Sequence, residues 1–583
     1  MKKHIMAAAA AACIVAASAQ DVVRVNQAGY LPSDPKAAVF LGTHNPAELD
    51  FRIGDLMPDS VVEAPVWGSL PYAARIYFTS LPEGEYTLTA SRGGAEIASA
   101  PVRVASDAYT ALAMRELPLR YLRQQRCGFN PVHGTLCHQN DGILVLAGEA
   151  TGDSVDVRGG WHDASDYLQY LTTSANTAYM LMFAYLANPE GWADDYDSAG
   201  LPGANGVPDV LDEARWGLEW MRRMNPRKDL YLNQIADDRD HRYVGVPAGD
   251  NIDYGWGEGG ARPVYPVCGE PSGLRQYRNR STGEASSVAK FASSFALGAK
   301  VFAEVDSAFA ADLASRAELA YQYALTHPGA SQTTSTVSPY FYEEDNWTDD
   351  VELAAATLGK FRDAAAFGRL EPVTPWMGAD SARHYQWYPF VSLGHSIVAA
   401  RGDSAQRAEF AALMGRGLQK VSRRGMQNAF RNGVPFIWCS NNLAASFATQ
   451  AILYRLISGD DTYREAETAV RDWLFGLNPW GQTMMLLPAD SAIPNPEDPH
   501  SAMTDITVGD RPGRDYLVGA LVDGPVYSTI FNALWGVHLR RPDAFEPFHG
   551  RAVYHDDYSD YSTNEPTMDG TASLCLLLSL LSR

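Results

Sequence analysis

The spacing of apolar and polar residues changes once along the chain, near residue 106. Before that point the apolar residues come in short runs at 22–26, 37–41, 49–53, 75–78, 85–90 and 101–104. These runs are rich in β-branched or aromatic residues and are separated by Gly, Pro and Asp turns. Pro32, Pro35 and Pro82 fall between the runs, where a missing backbone donor breaks no ladder. The pattern predicts a two-sheet β-sandwich of immunoglobulin-like type over residues 20–106. After Ser106 the period becomes helical. Residues 107–125 carry Leu112, Leu117, Leu119 and Leu122 among basic residues. Further helices are predicted at 174–188, 207–224, 287–305, 308–326, 348–361, 393–400, 405–423, 442–458, 462–475, 528–537 and 567–581. About a dozen helices without a fixed-length repeat argue against a regular solenoid. They suit a superhelix or a closed toroid of helical hairpins. The loops between them are long and rich in Gly, Pro, Asp and aromatics, which marks them as the functional surface.

Charge and composition narrow the function. The chain has 583 residues, with 47 Lys+Arg against 69 Asp+Glu, a net charge of −22. A general nucleic-acid binder needs a basic face, so that class is excluded. Hydrophobic residues at 46% and charged residues at 20% exclude a disordered chain. The 13 Trp and 29 Tyr suit a cleft that stacks planar faces, although most such rings belong to cores. Lys2 and Lys3, the Ala-rich run after them and Ala17-Ser18-Ala19 read as a signal peptide over 1–19. The run is too short to span a bilayer, and no other stretch is long enough. A secreted or periplasmic protein, expected as a monomer, follows. Cys13 offers an alternative, a lipid anchor on the outer surface, which leaves Ala17-Ser18-Ala19 without a role. Beyond Cys13 the cysteines are Cys127, Cys137, Cys268, Cys439 and Cys575, an odd number that argues against a pure disulfide framework.

Several constellations could carry chemistry. In Gly159-Gly160-Trp161-His162-Asp163-Ala164-Ser165-Asp166-Tyr167, two carboxylates three residues apart precede a predicted helix. Such a pair can hold one water, one acid as base and the other as orienter. An N-terminal helix cap is the plain alternative. Tyr561-Ser562-Thr563-Asn564-Glu565-Pro566 places a Glu in an aromatic loop, where partial desolvation suits a general acid. The plain alternative is an acid favoured by a helix dipole. Cys127, Cys137, His138 and His162 are a zinc-type ligand set, but by spacing a Cys127–Cys137 disulfide is as good a reading. His500 follows a Pro-rich loop. The chain has no HExxH, no GxSxG elbow and no phosphate-binding Gly-Lys-Ser/Thr loop, which lowers the odds for proteases, esterases and nucleotide enzymes.

Taken in order, these segments resemble glycoside hydrolase family 9. Val23-Arg24-Val25-Asn26-Gln27-Ala28-Gly29-Tyr30 is similar to the opening of the immunoglobulin-like module that precedes many of its cellulases. Residues 159–167 resemble its GGW-x-D-A-G-D-Y motif and residues 561–565 its Y-x-x-N-E motif. Residues 208–217, 477–479 and 519–525 are similar to family segments as well. The resemblance implies an (α/α)6 barrel over residues 107–583. It implies inversion, with Asp166 as base, Asp163 holding the water, Glu565 as acid and His500 binding sugar. It also implies zinc on Cys127, Cys137, His138 and His162. Ser165 replaces the motif's middle Gly, and the loop at His500 lacks the second His and the Arg of many cellulases. Calcium is common in the family, and Asp349, Asp350 and Glu352 are the acids considered for it here, although they match its ligand pattern poorly.

An inverting pair should stand about 6.5–9.5 Å apart, leaving room for a water. Trp347, Trp387, Tyr388 and Tyr561 are candidate sugar platforms. The expected activity is endo-β-1,4-glucanase. The alternatives are the same chemistry on xyloglucan or mixed-linkage β-glucan, exo action on β-glucosaminides, or a non-catalytic carbohydrate-binding protein. A helical scaffold would leave both acidic motifs unexplained.

Overall fold

The computed structural model describes residues 21–110, 114–146, 148–338, 342–378 and 389–583. Its N-terminal part has seven strands: β1 (Val22–Arg24), β2 (Ala37–Gly42), β3 (Asp50–Ile53), β4 (Ser60–Glu63), β5 (Tyr72–Tyr77), β6 (Gly84–Arg92) and β7 (Ala95–Val104). They form two antiparallel sheets, ordered β1-β2-β5-β4 and β3-β6-β7. In β3 the alternation is plain: Phe51 and Ile53 face inward opposite Ala90 and Leu88, while Asp50 and Arg52 face out. β2 is buried on both faces. Ala38 and Phe40 enter the sandwich core, and Val39 and Leu41 join the core of the helical domain. β4 is exposed along its whole length, so no apolar run announced it. Pro101 lies inside β7, which is tolerated because β7 is an edge strand.

Twelve main helices follow among the described residues: α1 (Glu116–Gln125), α2 (Leu171–Ala187), α3 (Asp209–Met224), α4 (Ala285–Val301), α5 (Ser307–Thr326), α6 (Thr348–Thr357), α7 (Phe361–Gly368), α8 (Leu393–Arg401), α9 (Ser404–Gly425), α10 (Ser440–Ser458), α11 (Arg464–Leu474) and α12 (Met568–Leu581). The even-numbered helices touch in the cyclic order α2, α4, α6, α8, α10, α12 and back to α2. The odd-numbered helices pack outside them, so the domain is an (α/α)6 barrel. The difference is written in the side chains. α2 and α12 are buried nearly all round, as expected of helices without a polar face. α5 buries Phe309, Leu313, Ala317, Ala320 and Ala324, a single stripe.

Three predicted helices need correction. The first begins at Glu116 rather than 107. The helix predicted over 348–361 breaks at Gly359 (φ +80°) into α6 and α7. Residues 528–537 form only the single turn Ser528–Phe531, and Trp535 beyond it is 89% exposed.

α11 is an outer helix, yet it is buried over Ala466–Leu474 because the sandwich covers its outer side. Asp34 pairs with Arg471 (2.6 Å), which also pairs with its neighbour Asp472 (2.6 Å). Asn26 Nδ2 donates to Asp472 (2.8 Å), and the Gln27 N–H donates to the Phe475 carbonyl (2.8 Å). Trp67 packs edge-on against Phe430, Phe436 and Trp473. Thus the segment 23–30, which resembles the family's opening, is an interface. Arg471→Met removes the cation between two buried carboxylates and should lower stability by about 3–5 kcal/mol in denaturant unfolding. Glu465→Gln, at the exposed end of α11, should cost under about 1 kcal/mol.

Candidate active site

The site is assembled at the ends of loops that lead into inner helices. The loop before α2 is held from behind by α3. Trp161 Nε1 donates to Glu213 (2.7 Å), Trp216 Nε1 to the Gly160 carbonyl (2.8 Å) and Trp220 Nε1 to the Val157 carbonyl (3.1 Å). Arg126 grips the same Glu213 carboxylate. Two glycines are required by contact. A Cβ at Gly160 (φ +71°) would stand 2.7 Å from the Trp220 ring, and one at Gly217 would stand 2.2 Å from the Trp161 ring. Trp161 is therefore core, and the segment 208–217 is the buttress of the acidic loop.

Two inner-helix entrances meet directly. The Met568 N–H, at the start of α12, donates to the Asp163 carbonyl (3.0 Å). Asn442 Nδ2 on α10 donates to Asp569 on α12 (2.8 Å). This brings the two acidic motifs together. Ser165 donates both its N–H (3.2 Å) and its hydroxyl to Glu565 Oε1. Glu565 is partly exposed. Burial pushes its carboxyl up, the nearby His500 pulls it down and the charge of Asp166 pushes it up; the net shift is upward. Asp163 is buried and accepts from the Thr173 and Tyr342 hydroxyls. Burial, and then the charge of Asp569, hold its carboxyl well above the usual range.

Asp166 pairs with His241 (2.8 Å), a residue that no spacing in the sequence connected to it. The only hint was its acidic neighbourhood, Asp237-Asp238-Arg239-Asp240. Burial pulls the imidazole down, but the charge and hydrogen bond of Asp166 outweigh this and raise it to about 9. Asp240 beside it receives the Tyr167 N–H (2.8 Å) and the Tyr254 hydroxyl (3.1 Å). Burial, and then Asp166, push its carboxyl up to about 7.

His500 lies at the same site. Its N–H donates to the Asn564 carbonyl (2.9 Å), and its Nδ1–H donates to the Tyr558 carbonyl (2.6 Å). Tyr561 lies 6.3 Å from Trp438 at 30° between ring planes, and its hydroxyl donates to the Trp535 carbonyl (2.9 Å). Trp438 was not singled out in the sequence. Trp347 is half-buried just before α6, with its ring against Phe367 (5.9 Å). Trp387 and Tyr388 lie outside the described residues. A cavity of about 630 Å³ lined by Tyr254, Trp256, Tyr265 and Arg239 lies to one side and does not include the three acids.

Cys127, Cys137, His138 and His162 come together, with one ligand atom of each within 4.8 Å of all the others. The two thiols are free, so the disulfide reading is not realised. The other ring nitrogen of His138 meets Asp250 (3.1 Å), the usual companion of a metal-bound imidazole. Two thiols and two imidazoles form a closed, zinc-compatible set. The acids considered for calcium go separate ways. Asp350 pairs with Lys290 (2.7 Å), Glu352 pairs with His395 (2.8 Å), and the buried Asp349 carboxylate has no hydrogen-bond partner among the described residues.

Comparison with known proteins agrees with this architecture. Glycosyl hydrolase family 9 matches residues 113–578, and the cellulase N-terminal ig-like domain matches residues 18–94. Endoglucanase C of Cellulomonas fimi is 26% identical over 95% of this chain and 51% of its own length. The chain thus spans about half of that relative. The cellodextrinase of Butyrivibrio fibrisolvens is 25% identical over 83% of this chain and 88% of its own. A metagenome-derived glycoside hydrolase family 9 endoglucanase of known structure is 26% identical, with a TM-score of 0.71, covering 97% of this chain and 99% of that one. Also similar, at 24% identity and a TM-score of 0.71, is a structure described as a Zn-binding triple mutant of the family 9 endoglucanase J30. A sandwich docked on an (α/α)6 barrel, two acidic motifs at its helix entrances and a match over most of its length place this chain in glycosyl hydrolase family 9.

Proposed function

We propose that the protein hydrolyses β-1,4-glucosidic bonds of cellulose-type glucans with inversion, as an exported endo-acting enzyme. The observation that carries this reading is Ser165, whose two donors on Glu565 bring the acidic loop and the Glu into one site. Glu565, raised by burial, is the acid that protonates the leaving oxygen. Asp166 is the base that takes a proton from water on the opposite face of the sugar. His241 holds its carboxylate in place. Asp163 orients the same water. Each of its oxygens already accepts one hydroxyl and keeps a second acceptor position. Tyr561 and Trp438 offer faces for a pyranose ring, and His500, anchored through Nδ1, presents Nε2 for a sugar hydroxyl. Trp347 is a more distant platform.

Cys127, Cys137, His138 and His162 would hold a zinc ion that braces the acidic loop, since His162 adjoins Asp163. With four protein ligands it leaves no place for substrate. The domain division follows the same reading, with the sandwich over residues 20–106 and the catalytic barrel over 107–583.

Glu565→Gln should lower turnover of cellohexaose by about 100-fold or more, the usual worth of general acid catalysis, while oligosaccharide binding persists. Equal product from wild type and variant would overturn the assignment. Ser165→Gly keeps the N–H donor but removes the hydroxyl that favours the charged form of Glu565. A hydrogen bond to a charged group is worth about 1.5–3 kcal/mol, so the alkaline limb of kcat/KM should move up by about one to two pH units. An unmoved or lowered limb would show that the hydroxyl does not tune the acid.

A further inference from the structure

A second cluster of metal-ligating side chains lies away from the thiol site, between the sandwich and the segment that carries Glu565. Asp543 Oδ2 stands 2.6 Å from His549 Nε2 and 3.4 Å from His555 Nε2. All three ligand atoms fall within 4.8 Å of one another. The other Asp543 oxygen is taken by the Phe545 N–H (2.8 Å), so Oδ2 alone faces the imidazoles.

The hydrogen bonding of His555 decides how this cluster is read. Its Nδ1 meets Asp560 Oδ2 at 2.7 Å, and Asp560 is a fully buried carboxylate. A carboxylate only accepts, so Nδ1 carries the proton. In the neutral imidazole Nε2 then presents a lone pair toward the Asp543 carboxylate, two acceptors face to face. Either the ring is cationic, or a cation stands between them. The rings of His549 and His555 lie 4.9 Å apart, and both turn Nε2 toward the same Asp543 oxygen. A metal ion satisfies the same convergence with both imidazoles neutral. The carboxylate behind Nδ1 is then the orienting partner that metal-bound histidines usually have.

The size of the cluster fits. An ion about 2.0–2.1 Å from each of three tetrahedral ligands sets them about 3.3 Å apart. The Asp543–His555 distance is already 3.4 Å, and His549 needs to retreat by less than about 1 Å. A cavity of about 280 Å³ opens against Asp543 and His555, giving a fourth ligand position to water.

We propose that Asp543, His549 and His555 bind a divalent first-row transition ion, zinc being the best match to two imidazoles and one carboxylate with an open fourth position. The site joins two elements. The loop carrying His549 is clamped by the sandwich: Trp67 Nε1 donates to the Phe548 carbonyl (2.8 Å), the Ser69 hydroxyl donates to the Pro547 carbonyl (3.3 Å), and a Cβ at Gly68 would stand 2.4 Å from the His549 carbonyl oxygen. On the other side, Asp560 accepts from the Ser562 N–H (3.0 Å) and the Thr563 hydroxyl (2.7 Å), three and two residues before Glu565. The ion ties the N-terminal domain to the catalytic-acid segment.

The test is equilibrium dialysis of the whole chain against micromolar Zn²⁺, with bound metal counted by atomic emission for wild type, His549→Gln, Asp543→Asn and Cys137→Ser. Wild type should hold about one zinc more than either His549→Gln or Asp543→Asn, and Cys137→Ser should lose the other one. Cobalt provides a readout that does not depend on the variants' folding. The ion at the thiol site adds a thiolate charge-transfer band, and the second ion should add only weak visible absorption, as imidazole and carboxylate ligands do. Equal zinc in wild type and His549→Gln, or a cobalt titration of wild type that ends at the thiolate band, would overturn the proposal.

Discussion

The hydrogen bond from the Met568 N–H to the Asp163 carbonyl marks the constraint on which the site depends, the closure of the inner ring. α12 is the last element of the chain and α2 is the first inner helix, yet they are ring neighbours. Closure therefore brings residues some four hundred positions apart to within hydrogen-bond reach. Open the ring and Ser165 loses Glu565, and the two acidic motifs no longer meet. The inner helices α2 and α12 are buried nearly all round because closure leaves them no wet face.

What holds the entrances in place is polar and lies outside the ring. α3 fixes the Asp163–Asp166 loop through three indoles and the Glu213 carboxylate. Cys127, Cys137, His138 and His162 gather behind the same loop. The segment leading to Glu565 is held through Asp560 and His555. The sandwich joins this support. It buries the outer face of α11 through Asp34, Arg471 and Trp67, and it clamps the 547–549 loop that faces His555. Hence the N-terminal domain packs against elements that lead to the site.

Much of this was legible in the sequence because it follows local pattern. Phe51 and Ile53 alternate, α5 repeats its stripe, and the acids sit in glycine-led or aromatic loops. β4 escaped because its side chains are all exposed, and the split at Gly359 escaped because its flanks are both helical. The pairing of Asp166 with His241 also escaped. Ion pairs between distant loops depend on ring closure, and no spacing records it. The Asp543, His549 and His555 cluster escaped for the same reason, since its residues converge through loop shape rather than helical register. Ser165 was visible as a departure from the family motif, but its hydroxyl on Glu565 emerges only when the two loops meet.

The central claim is that Asp166 and Glu565 act on opposite faces of one sugar in a single displacement. Proton NMR of the newly formed reducing end, recorded during the first minutes of cellohexaose hydrolysis, tests it most directly. Inversion of a β-linkage yields the α-anomer first, with the β-anomer growing in only by mutarotation. The β-anomer appearing first would mean retention through a covalent intermediate, and would contradict the assignment of Asp166 as a base acting through water.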